Sequence, residues 1–301
     1  MNVYLPIAGV SLNILGLLLL GGGVGFLSGL FGVGGGFLLT PLLIFMGVPS
    51  AVAVATGANQ VVGASVSGVI AHWRRNNVDV KMGLMLVAGG AIGAVGGVHL
   101  FARLRSLGQV DLTISLCYVL FLGFVGGTML FESLRSILLS RQAGLPHKRH
   151  RHLWARLPFK MRFARSGLYI SALLPVFVGA IGGLLAALMG VGGGFIMVPM
   201  MIYILEIPTA VVVGTSLFQV IFVTAAVTIL QAVQTGTIDV ILMLTLLVGG
   251  VVGAQFGARA GSRLRAEHMR ILLALLVLAV SGRLLFELVA EPADLFSLSG
   301  G

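Results

Sequence analysis

Charge is what this chain has least of. Only 9% of its 301 residues are Asp, Glu, Lys or Arg, whereas soluble domains carry about 25%. The first of these residues is Arg74, and further stretches without any run over 82–102, 112–131, 166–205, 207–238, 240–258 and 271–282. Apolar stretches of about 18 residues or more are long enough to cross a bilayer as helices. A soluble protein is thereby excluded, and an all-α integral membrane protein is expected. Alternating polarity is missing too, which excludes a β-barrel, whose strands are about ten residues long with period two. A helix satisfies its own backbone in lipid.

Other absences narrow the function. Cysteine occurs once, at Cys117 inside an apolar span, so no intramolecular disulfide exists. The spans hold no His-Glu-x-x-His, no paired carboxylate and no Ser/His/Asp grouping, so neither an enzyme nor a resident cofactor or metal is expected. His147, His150 and His152 sit among bases and read as a solvated or headgroup-facing loop. A basic n-region is lacking before the first apolar run, which argues against a cleaved signal peptide. The net charge of +10 is carried by bases in loops beside apolar spans. That placement follows the positive-inside rule rather than nucleic-acid binding.

What the chain has in quantity is glycine, 44 residues, and it uses glycine in a repeated phrase. Gly-Val-Gly-Gly-Gly-Phe stands at 32–37 and again at 190–195, with Pro41 and Pro199 at the same distance beyond. The repeat continues through Pro49-Ser50-Ala51-Val52 and Pro208-Thr209-Ala210-Val211, through Thr56…Gln60 and Thr215…Gln219, and through Asp79 and Asp239. Two homologous halves are expected, a membrane repeat over 1–132 and another over 166–301, joined by a linker over 133–165. Each half reads as a broken helix or hairpin (10–46, 168–205) followed by three spans. That makes about eight hydrophobic blocks and eight to ten crossings.

The linker holds nine Lys or Arg and no acid, which places it in the cytoplasm beside anionic lipid headgroups. Loops 72–81 and 259–270 fall on the same side. Both termini fall outside, with 232–239 and with 102–111, whose Arg103 and Arg105 run against the rule. Matched loops then lie on opposite sides, so the halves are expected to be inverted repeats in the plasma membrane. Inverted-repeat transporters bind substrate near the midplane at interrupted helices.

Each glycine in a helix interior costs roughly 1 kcal/mol relative to alanine. The triplets Gly34, Gly35, Gly36 and Gly192, Gly193, Gly194 therefore mark unwound segments, with Pro41 and Pro199 reinforcing a helix break. Unwound N–H groups and helix N-termini attract anions. Other glycines, such as Gly96 and Gly97, read as helix-packing contacts. Thr56, Asn59, Gln60, Thr215, Ser216 and Gln219 form a second candidate set for substrate, with interhelical hydrogen bonding as the competing account. Asn59 and Gln60 point about 100° apart on a helix, so only one can face the solute. Arg283 and Glu287 can pair on one helix face.

At the duplicated glycine phrase with its proline, followed by Thr…Asn-Gln and Thr-Ser…Gln, the chain resembles the TauE/SafE family of membrane transporters. The resemblance runs from about residue 10 to 290 and includes the basic linker. It implies a secondary transporter, and family members are proposed to export sulfite or organosulfonates. The spans hold almost no Lys or Arg apart from Arg283, so an anion would be held by backbone N–H, Thr, Asn and Gln groups. Export of an anion from a cell negative inside needs no coupling ion. The alternatives are a transporter of another small solute or a metal cation, and a non-transporting scaffold.

Overall fold

A computed structural model describes residues 2–31, 36–139, 158–205, 207–261 and 266–290. Each half opens with a small antiparallel hairpin that the apolar pattern does not reveal. Strand β1 (Asn2–Leu5) pairs with β2 (Val10–Asn13), and later β3 (Lys160–Phe163) pairs with β4 (Leu168–Ser171). Each turn closes on a left-handed glycine, Gly9 at φ 67° and Gly167 at φ 63°, a backbone region that L residues adopt only with strain. Alternate residues point inward and bury Leu5 and Phe163 completely. Strand β3 lies within the segment read as the end of the linker, and β4 within the apolar block that follows it. The former carries Lys160 and Arg162 on outward positions, so the bases of an amphipathic strand read as loop.

Among the described residues five helices follow each hairpin. The first half has α1 (Ile14–Phe31), α2 (Gly36–Phe45), α3 (Ser50–Arg74), α4 (Val80–Ser106) and α5 (Val110–Leu139). The second has α6 (Leu173–Met189), α7 (Gly194–Tyr203), α8 (Thr209–Thr235), α9 (Val240–Gly261) and α10 (Ala266–Val289). Six of these, α3, α4, α5, α8, α9 and α10, are long and apolar enough to cross a membrane. The eight apolar blocks are therefore six single helices and two pairs, α1–α2 and α6–α7. Outward faces of α5 and α10 expose Leu112, Leu120, Phe124, Leu272, Leu275 and Phe286. Such contiguous apolar surface suits lipid.

The pairs are hairpins rather than kinked single helices. Ile7, in the turn of the β1–β2 hairpin that leads into α1, and Pro49, just before α3, line one surface cavity, so α1–α2 enters and leaves at the same end. Ser166, in the turn of the β3–β4 hairpin that leads into α6, bonds to Asp79 in the α3–α4 turn, and Gly214 in the second turn of α8 packs on Asn77 of that turn. The α6–α7 pair therefore enters and leaves at the end where α3 finishes.

Glycine decides how the pairs seat. Along α1, Gly21, Gly25 and Gly29 meet the backbone of Leu246, Gly250 and Ala254 in α9, a parallel register. Along α4, Gly89 and Gly93 meet Val176 and Ala180 of α6 in the same way. A Cβ on Gly21 would sit 2.8 Å from the Leu246 carbonyl oxygen, so only hydrogen fits. α3 packs on α8 and α5 on α10, and α3–α9 contacts mirror α8–α4 contacts. Exchanging the halves leaves this pattern unchanged. Of two glycines expected to serve packing, Gly97 does, with Ala187 and Leu184 against it. Gly96 has nothing within 4 Å and faces outward.

Candidate functional site

The second glycine phrase is described throughout, and its backbone explains its composition. Gly190 caps α6 at φ 68°, Gly192 lies at φ 71°, and Gly193 opens α7 at φ 74°. L side chains resist that region by about 1–2 kcal/mol per residue. α7 then starts at Gly194 without a side-chain cap, so its first N–H groups lack helical partners. Gly34 and Gly35 of the first phrase lie outside the described residues, and Gly36 opens α2.

The prolines are placed differently from expectation. Pro41 and Pro199 lie inside α2 and α7, and the break comes at the glycines before them. In a ten-residue helix a proline in the second turn removes one backbone bond without ending the helix. The carbonyls freed four residues earlier belong to Phe37 and Phe195.

The glycine phrases meet. The Tyr118 hydroxyl donates to the Met189 carbonyl at 2.6 Å, and Gly190 abuts Val54, so α6 reaches close to the end where α3 and α5 begin. From there the chain turns back, and Gly192 packs against Val61, Val220 and Thr224 at the middle of α3 and α8. A Cβ on Gly36 would lie 3.0 Å from the Val191 carbonyl oxygen and 3.1 Å from that of Gly190. The next residues, Phe37 and Phe195, stack with centroids 4.6 Å apart and planes 19° from parallel.

The polar candidates divide. Thr215 accepts the Asp79 N–H at 3.0 Å, and Thr56 accepts the Asp239 N–H at 3.1 Å. Both aspartates are buried, 3% and 0% exposed. The Asp79 carboxylate receives the Met82 N–H and both the N–H and hydroxyl of Ser166. The Asp239 carboxylate receives the N–H groups of Ile241, Leu242 and Ile7. Each aspartate therefore ties a turn of one half to a helix and a hairpin of the other, one interlock at each end. The repeat pairs Asp79 with Asp239, but their capping position masked this role.

Asn59 is half-buried and donates to Ala55 of its own helix, and Ser216 donates to Val213 of its own helix. Gln60 and Gln219 turn inward. Gln60 donates to the Gly21 carbonyl at 3.0 Å while its Oε1 has no partner, and neither amide atom of Gln219 has one. A buried polar group left without a partner costs about 1–3 kcal/mol. Gln219 lies beside Gly90 of α4 as Gln60 lies beside Gly250 of α9. Arg283 pairs with Glu287 at 3.3 Å and covers the Phe45 ring at 4.4 Å. Among the described residues no cluster of three or more His, Cys, Asp or Glu could hold a metal.

The family described as sulfite exporter TauE/SafE matches residues 17–284, nearly the whole of this architecture. The chain belongs to the TauE/SafE family. YjnA of Bacillus subtilis, named a probable membrane transporter protein, is 29% identical over 269 residues, covering 88% of this chain and 97% of that one. YunE of the same organism, named likewise, is 25% identical, covering 92% and 97%. A part of an Arabidopsis thaliana protein named sulfite exporter TauE/SafE family protein 3 is 32% identical over 114 residues, 38% of this chain and 22% of that one. No solved structure matches. As a TauE/SafE member the chain is a multi-pass membrane transporter and not an enzyme.

Proposed function

We propose that this transporter exports a small anion, sulfite or an organosulfonate, by alternating access between two halves that form inverted repeats. The observation that carries this is the packing of Gly36, the last glycine of the first phrase, on Gly190 and Val191 of the second at mid-molecule, with Phe37 stacked on Phe195. Irregular backbone at membrane depth is tolerated where it is buried in protein or lines a cavity, and two copies converging there suit a shared solute site. Residues 34–36, 192–194, Gln60 and Gln219 contribute to it. Inversion is supported by the ends: hairpin α1–α2 opens from one end of the molecule and α6–α7 from the other.

The substrate class follows from the family's description and from the donors available. Backbone N–H, hydroxyl and amide groups hold an oxyanion reversibly, without a fixed cation to trap it. The orientation proposed has the linker 133–165 in the cytoplasm and both termini outside, because Arg74, Arg75, Lys81, Arg162 and Arg165 gather at one end. A membrane potential then supplies about 2.3 kcal/mol per charge per 100 mV for anion exit. In proteoliposomes with an imposed potential, labelled sulfite or sulfonate efflux is expected to quicken as the interior becomes more negative. It should slow when the potential is collapsed. Efflux indifferent to the potential contradicts the mechanism.

A further inference from the structure

The buried polar atoms without partners are not scattered. Apart from the Thr40 hydroxyl, those among the described residues all lie on α3 or α8, the two helices that cross at the centre. Buried polar side chains are ordinarily satisfied, so a concentration of exceptions calls for a reason. On α8 the hydroxyls of Thr224 and Thr228 and the Oε1 of Gln231 have no partner. Spaced by four and three residues, they share one helix face. The row starts where Thr224 faces Gly192. It passes Gln231, which donates to the Ala187 carbonyl at 3.0 Å near the end of α6. Beyond lie Thr235, whose carbonyl takes the Arg105 guanidinium at 2.6 Å, and Thr237, 2.8 Å from the Thr235 hydroxyl. Arg105 and Thr237 line a surface cavity of about 300 Å³ at that end.

α3 carries a shorter counterpart. The Ser65 hydroxyl and His72 Nδ1 lack partners, lie two turns apart, and run from mid-helix toward the opposite end, where His72 packs against Gly214.

We propose that these groups form a polar track through the molecule, along which an anion moves between the two ends past the glycine segments. The inference rests on the transport reading above for the identity of the solute. Among the described residues the α8 row offers neutral hydroxyl and amide groups and no cation until Arg105, which shares the cavity at its mouth with Asp111. The track therefore takes a singly charged oxyanion in preference to a dianion, whose desolvation these donors cannot offset. Arg105, out of place by the loop-charge rule, becomes the cation that receives the solute.

The test uses full-length protein in liposomes, in a Cys117→Ala background. Thr224→Cys and Thr228→Cys are expected to react with an impermeant sulfonate-bearing methanethiosulfonate, and an unreactive alkanesulfonate to slow that reaction. Val227→Cys, which points into the apolar cluster with Ala94 and Val98, should not react. Thr224→Val combined with Thr228→Val should lower sulfite and sulfonate flux about tenfold or more without lowering the melting temperature. The matching serine pair should restore flux. Reaction at 224 and 228 no faster than at 227, or full flux in the valine pair, overturns the track. Selective reaction of the 224 and 228 cysteine variants, together with wild-type protein that carries neither sulfite nor sulfonate, refutes the proposed function and leaves the track standing.

Discussion

At Gly192 a methyl group has no room and no permitted backbone. Its φ is +71°, and a Cβ there would lie 2.6 Å from Val61 and 2.8 Å from the Thr224 hydroxyl. Gly192→Ala is therefore expected to cost about 1–2 kcal/mol or more, from the left-handed conformation alone. Gly96→Ala, with open space around it, should stay within about 0.5 kcal/mol of wild type. Thermal unfolding of detergent-solubilised protein checks the pair. Thr215→Val strands the buried Asp79 N–H, at about 1–3 kcal/mol, and Thr56→Val should cost a similar amount through Asp239. The two sites share no partner, so their effects should add; a double variant far from the sum contradicts two separate interlocks. The sequence paired Thr56 with Thr215 and Asp79 with Asp239, but not each threonine with the other half's aspartate. That contact depends on how the halves dock, which no local pattern encodes.

Helices on this scale are held by glycine ridges rather than by large side chains. Gly25 meets Gly250, and Gly93 meets Ala180, backbone to backbone. Gly93→Ala is expected to force α4 from α6 and cost about 1–3 kcal/mol, with Gly25→Ala doing the same to α1 and α9. Denaturation midpoints in mixed micelles measure both, and a neutral result at either would show that the contact is not close. Five of the six long helices were legible as charge-free blocks of about twenty residues, and α10 as an apolar block interrupted by Arg283 and Glu287. The broken segments were legible from their glycines as a broken helix or a hairpin, but not with interior prolines, since a proline looks the same in sequence whether it ends a helix or sits in its second turn. The β-hairpins escaped notice because four-residue strands bury too few side chains for a periodic signal. The first of β3–β4, moreover, is dressed in basic residues.

For the molecule as a whole, family and membrane class could be read from the duplicated phrase, whereas the proposed polar track could not. Gln60 and Gln219 stood out as duplicated polar residues. Thr224, Thr228 and Ser65 did not, because a threonine or serine in an apolar helix ordinarily bonds its own backbone. Only the packing of α3 on α8 reveals which of them lack that bond. The central claim is that solute crosses where the two glycine phrases meet. Its most direct test is the initial flux of labelled sulfite and sulfonate in proteoliposomes carrying wild type, Gly193→Val with Gly35→Val, or Gly96→Val. The account predicts flux in wild type and in Gly96→Val, and a loss of about tenfold or more in the paired variant. Equal flux in all three would contradict it.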